Sequence, residues 1–540
     1  MSSTSVLTAA VSTSFAAYSG PWEFQQASHL LRRATFAPTK AELDEATSLG
    51  LDAALDRLFE SIALPANPTY VDYVRPDGEA GIGDEWMNLA VSEFDASADR
   101  SARARSVQAW WFQSTAEAGF NIREKMVLFW HNHFGMGGIN ADRERVRFLN
   151  TYRDYATGNF KELVKLMTID VYMLRFLDGH VSTRQNPNEN YARELLELFT
   201  IGKGPQVAPG DYTNYTEQDV TELARALTGW RTINFNTISP GLDSYAEYVT
   251  NRHDRTDKTL SYRFDNQVIT NNEENEYLDV VDIIFTKDEV ARYLCRKLYR
   301  HFVYYDVTDE VETNIIAPMS QLVIDNQYDI APALRALLSC EHFYETSIIG
   351  GMIKTPLDLV QSTFRVANFY EQDTVQNGQQ AARRGFIHAR DTGMDLLTPP
   401  SVAGWTAYYQ EPSFHRIWLN TSTIQARTSH ARRCTTGAFY WDQTAYRCDW
   451  LSVVDGLNNP YDSISVVEEM CSILLPKPLE QEQTDALVEL LLGGQEDFVW
   501  TNEYSDYQAN PNDMAGIDAV TSRIRSMMYG LMQLAEFHVH

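Results

Sequence analysis

Read for the spacing of apolar and polar positions, the chain is helical over most of its length. His29, Leu30, Leu31 and Ala34 open the pattern, Pro38 breaks it, and Thr39 with Glu42 forms a capping box for the next helix. Leu51, Ala54, Leu55, Leu58 and Phe59 line a further apolar face, and residues 61–80 are proline-rich and loop-like. Helical spacing resumes near Asp84 and runs through Trp110 and Trp111 to Thr115. Ile122, Met126, Phe129 and Trp130 then point one way on a helix that stops at His131-Asn132-His133-Phe134-Gly135. Two more helices are predicted over 140–178, and others over 277–345, 354 onward, 411–433 and 464–540.

The helix predicted over 188–202 has an unusual face. At about 100° per residue, Tyr191, Ala192, Leu195, Leu196, Leu198 and Phe199 cover more than half its circumference. Asn190, Arg193, Glu194 and Glu197 fall on one narrow stripe. A surface helix has a broad polar side, so this one reads as buried on most sides around a dense polar seam.

Periodicity changes in two places. Alternation in Tyr245–Thr250 and Thr259–Phe264 predicts a small β excursion at about 240–270. Gly437 and the surrounding β-formers predict a β-hairpin over about 434–448, with Cys434 and Cys448 placed to close it as a disulfide. The fold class is therefore mainly α, a large multi-helical domain with these two additions. The organisation that follows is a flexible segment 1–26, a helical domain 27–433, and a hairpin-plus-helices extension 434–540 packed on it.

Composition narrows the partners. A formal net charge of −28 disfavours nucleic acid, and no apolar run is long enough for a membrane span. The first 20 residues lack Lys and Arg and so lack the basic start of a secretory signal. Of five cysteines, Cys295, Cys340 and Cys471 fall in apolar helical patterns and read as buried thiols. Nucleotide-binding Gly loops, a Gly-x-Ser-x-Gly elbow and His-Glu-x-x-His are all missing.

Three polar runs carry candidate chemistry. His131 and His133 at a helix end could turn towards one point as a metal pair, or cap the last carbonyls. Glu194 and Glu197, three residues apart on the seam, suit a metal ligand or an acid–base role. The same residues also suit an ion-pair network in which Glu189, Arg193 and Glu197 close on one another. His253 and Asp254 lie on a polar loop that fits a metal or substrate contact, or an Asx-type turn. Trp110, Trp111, Trp230, Trp405 and Trp418 suit either a sugar-binding cleft, hence a polysaccharide partner, or the core.

Several runs together resemble one family, the bacterial proteins grouped as domain of unknown function 1800. They are His29–Phe36, Arg123–Met126, Trp130–Gly135, Asn188–Gly202, Tyr215–Trp230, His253–Lys258, Lys354–Pro356 and Pro399–Trp405. The resemblance covers about residues 28–430. It implies an exported protein, periplasmic or extracellular, often encoded beside a sulfatase-like protein. The absence of a basic signal leaves the cytoplasm as the other location, and the resemblance names no reaction. The sequence-level expectation is a metal-binding enzyme, hydrolytic or oxidative, with a polar pocket inside the helical domain. Its divalent metal would be held by His131, His133, Glu194 and Asp254, with Glu194, Glu197 and His253 as catalytic groups. The alternative is a non-catalytic scaffold or polymer-binding protein whose seams are ion-pair networks.

Overall fold

A computed structural model describes residues 13–236, 243–372 and 374–540. The described residues are mainly helical, with short antiparallel strand pairs only. The helix ends follow the sequence closely where caps were legible. Thr39 and Glu42 form the capping box of Lys40–Leu49, and Thr216 with Asp219 that of Glu217–Ala226. The helix predicted from Asp84 begins only at Ala96, capped by Asp95. Before it the chain is irregular, held by a bridge between Thr69 and Glu85.

Part of the β excursion, residues 237–242, lies outside the described residues. On either side Trp230–Ile233 pairs with Tyr245–Tyr248, and Lys258–Thr259 pairs with Val268–Ile269. The second predicted run stops early, because residues 262–264 close into a 3-10 turn. The later hairpin joins Phe439–Trp441 to Thr444–Tyr446. Asp442 and Gln443 both take positive φ there, as a two-residue turn matched to strand twist requires. The disulfide expectation is corrected: Cys434 and Cys448 are buried free thiols, and Cys434 lies beside the His430 ring. Cys295, Cys340 and Cys471 are also buried and free.

One continuous apolar core runs from Ala27 to Phe537, so the helices after residue 449 share it with the rest. Of the segment 1–26, residues 1–12 lie outside the described residues. The part that follows is pinned, since Glu341 and His342 donate backbone bonds to Ala16 and Ser14, and Tyr18 to Ser339.

The run 188–202 departs from a regular helix. Glu189–Glu194 is α-helical and Leu195–Thr200 is a π-helix. The wider turn changes where the last carbonyls point, and π segments often mark such irregular sites. The Leu198 carbonyl accepts from Lys297 and Tyr293, and the Phe199 carbonyl from His133.

Candidate functional site

The sequence-predicted polar residues lie in four separate environments. His131 sits in an aromatic box, edge-on to Trp111, stacked on Phe148 and close to Trp405. Neither of its ring nitrogens makes a hydrogen bond of normal geometry. His133 is oriented differently. Its Nε2 donates to the Phe199 carbonyl at 3.0 Å, which leaves Nδ1 to accept from Lys297 Nζ at 3.1 Å. Burial, with Lys297 adjacent, holds His133 well below its ordinary range.

Glu194 and Glu197 are half-buried on the seam. Glu197 accepts from the Tyr215 hydroxyl at 2.8 Å, while Glu194 has no hydrogen bond or ion pair among the described residues. Burial, then the neighbouring Glu197 charge, raises the Glu194 carboxyl. The closed set of Glu189, Arg193 and Glu197 does not form. Arg193 instead makes a bidentate pair with Glu217 at 2.7 and 2.6 Å, and Glu189 accepts from Thr221. His253 lies between the Thr228 carbonyl at 2.9 Å and the buried Glu276 carboxylate at 3.0 Å, which Lys258 also pairs. Asp254 receives Arg225 at 2.8 Å and both the amide and hydroxyl of Thr256. Burial opposes its charge, but these donors outweigh that and hold the carboxyl well below the usual range. Among the described residues, no group of three or more His, Cys, Asp or Glu side chains is placed to hold a metal ion.

A different place gathers charge. Arg32 and Arg33 are buried on the helix Phe24–Ala34, and Lys125 on the first turn of Arg123–Phe134. Lys354 precedes the helix Pro356–Phe364, and Arg427 lies within Thr421–Cys434. All five are at most 5 % exposed. Among the described residues, only Lys125 of the five has a carboxylate within ion-pair distance, that of Asp358. The others are solvated by neutral acceptors. Arg32 reaches the carbonyls of Ser472 and Ile473, and Arg33 those of His301 and Phe302. Arg427 donates to the Lys354 carbonyl at 2.8 Å. Lys354 reaches the Leu474 carbonyl and lies over the Phe537 ring.

Between Arg33, Lys125 and Asp358 is a small enclosed cavity, completed by His301, Tyr408 and His540. Its volume is about 20 Å³, room for one water. Burial pushes Arg32, Arg33 and Arg427 down to about 10 and drives Lys354 well below its ordinary value. Neither His301 nitrogen makes a hydrogen bond of normal geometry, and burial, then Lys125 and Arg33, holds the ring well below its ordinary range. His415 also lines the chamber, pushed down to about 4 by burial.

Sequence reasoning passed over these residues because each, taken alone, looks ordinary. Arg32 and Arg33 read as the polar side of an amphipathic helix, and Lys354 as a pre-helix residue. The available signal was that Arg32, Arg33, Lys125 and Lys354 stand inside the runs that carry the family resemblance; Arg427 lies outside them.

A mainly α chain with this buried basic chamber is what the coordinates define. The sequence model of the family described as a protein of unknown function (DUF1800) matches residues 29–538, and the chain belongs to that family. The match takes in the region after residue 434, where no single motif is recognisable. Neither the curated proteins nor the solved structures include a match to the chain. No helix among the described residues is long and apolar enough to cross a membrane.

Proposed function

We propose that the chain binds a compact anion, the carboxylate, phosphate or sulfate of a small acidic ligand, in the chamber between Arg33 and Lys125. The observation that carries this reading is the charge imbalance: Arg33 and Lys125 line the chamber with Asp358 as its one carboxylate, and Arg32 and Arg427 are buried without an ion pair among the described residues. An uncompensated buried charge costs several kcal/mol, and this one is kept inside a protein whose net charge is −28. An entering anion supplies the missing counter-charge. Guanidinium and ammonium donors give it charge-assisted hydrogen bonds, and the His301 ring gives it a further polar contact. The seams at 189–197 and 253–258 then serve to join helices through ion pairs.

Calorimetric and thermal titration with sulfate, phosphate and acetate, at constant ionic strength set by chloride, tests the proposal. A specific anion at about 100 times its Kd stabilises the fold by about 2.7 kcal/mol. Arg33→Met and Lys125→Met should abolish that gain. An equal response to every salt, unchanged in both variants, refutes the reading.

A further inference from the structure

One wall of the chamber is a short strap. Residues 538–540 pair antiparallel with 352–354, through a bridge between Val539 and Ile353. The Lys354 amide donates to the His538 carbonyl at 2.8 Å, and the His540 amide to the Met352 carbonyl at 2.9 Å. Met352, Ile353 and His540 all line the cavity. The His540 ring reaches into it and accepts from the Arg33 guanidinium through Nε2. A guanidinium only donates, so the imidazole presents its lone pair where an anion would present an oxygen. It is the only side-chain acceptor that Arg33 has among the hydrogen bonds of the described residues; the others are the His301 and Phe302 carbonyls.

Cations crowd the strap, and Asp358, paired with Lys125, is the one carboxylate that lines the same cavity. Arg33, Lys125 and Lys354 act on His540, and Arg427 and Lys354 on His538. Arg427 stands 3.5 Å from the His538 Nδ1. The His538 and His540 rings are therefore neutral fillers among charges that a true anion would satisfy better. Besides the Arg33–His540 bond, the strap's ties are two ladder bonds and the burial of the neighbouring Phe537.

Resting on the anion reading, we propose that His540 is the resident occupant of the chamber and that anion entry displaces the strap 538–540 from residues 352–354. The strap then regulates the site, since ligand must compete with His540 for Arg33.

Hydrogen exchange on the full chain, with and without saturating sulfate against chloride at equal ionic strength, tests this. The reporters are the Lys354 and His540 amides, which should exchange at least tenfold faster with sulfate bound. His540→Ala, with the strap backbone intact, should bind sulfate at least tenfold more tightly by calorimetry. Two outcomes separate the two ideas. If sulfate binds but both amides keep their protection and His540→Ala gains no affinity, the strap inference is overturned while the anion reading stands. If sulfate, phosphate and acetate bind neither the full chain nor His540→Ala, the anion reading fails and takes the strap with it.

Discussion

Acid should unfold this protein earlier than its carboxylates would suggest, because several of its histidines are buried and held well below their ordinary range. His29 and His131 show the magnitude. His29 is 1 % exposed, donates Nε2 to the Phe343 carbonyl at 3.0 Å, and leaves Nδ1 without a partner. Burial, then the adjacent Arg33, pushes it down to about 3. Burial does the same to His131 in its aromatic box, down to about 3. In the unfolded chain both titrate near 6.5. Below that pH the unfolded chain takes up protons that the folded rings refuse, so stability present above pH 6.5 is lost as pH falls towards 3. Between pH 7 and pH 5 each ring removes about 2 kcal/mol, roughly 4 for the pair. Asp170 opposes them. Burial raises it to about 6, and its protonation in the folded state returns about 1 kcal/mol over the same interval. The histidines win, and His133, His301 and His540, all held well below their ordinary range, add in the same direction. Against a typical total of about 5–15 kcal/mol, the loss is large. Urea denaturation followed by helix content at pH 8, 7, 6 and 5 measures it. The unfolding free energy should drop by at least 3 kcal/mol between pH 7 and pH 5, and by about 2 kcal/mol less in His29→Gln. A free energy at pH 5 within 1 kcal/mol of that at pH 7 refutes the account of neutral buried rings.

Two substitutions test other parts of the structure. Gly135 has φ +57°, and a Cβ there would stand 2.1 Å from the Val402 carbonyl oxygen, so Gly135→Ala should cost about 2–4 kcal/mol in urea unfolding; a neutral change would mean that these two segments do not meet. Glu194→Gln should alter stability at pH 7 by less than about 1 kcal/mol, with any change a gain, because its charge makes no ion pair among the described residues and the nearby Glu197 charge opposes it more than Arg193 favours it; a loss of several kcal/mol in the same assay would reveal a buried partner.

Local rules carried the sequence reading far where a residue acts on its own turn. The capping box at Thr39, the hairpin within 434–448 and the buried faces of the helices follow from side chains close to one another in sequence. The π-helix at Leu195–Thr200 was not legible, since its carbonyl partners Lys297, Tyr293 and His133 are remote in sequence. Arg193 illustrates the same limit. Spacing offered it Glu189 and Glu197 on its own helix, but tertiary packing brought Glu217 closer in the right orientation for a bidentate pair. His131 and His133 lie within one turn, but a helix sends side chains two residues apart to different neighbours, so the two rings do not turn to one point. The chamber was the least legible of all, because its residues come from positions 33, 125, 301, 358, 408 and 540, and no local pattern joins them.

The helix Arg123–Phe134 shows why such distant runs share one chain-long signature. Its first turn places Lys125 against Asp358 in the chamber. Two turns later Asn132 accepts the Trp405 amide at 2.9 Å, and a Cβ on Gly404 would collide with that same Asn132. His131 packs on Trp405 from the neighbouring position, and Gly135 gives way to Val402. His133 anchors the far side of the helix to the π segment. The run Trp130–Gly135 is thus a clasp that receives the run Pro399–Trp405, and it sets the position of Lys125 along the same rigid axis. The tightly spaced small and polar residues at the clasp and the Lys125–Asp358 pair in the chamber are two ends of one mechanical unit, because a helix of twelve residues shifts as a body. Loosening the clasp would move the Lys125 ammonium relative to Asp358 and Arg33, so residues that touch no ligand would still govern what the chamber can hold.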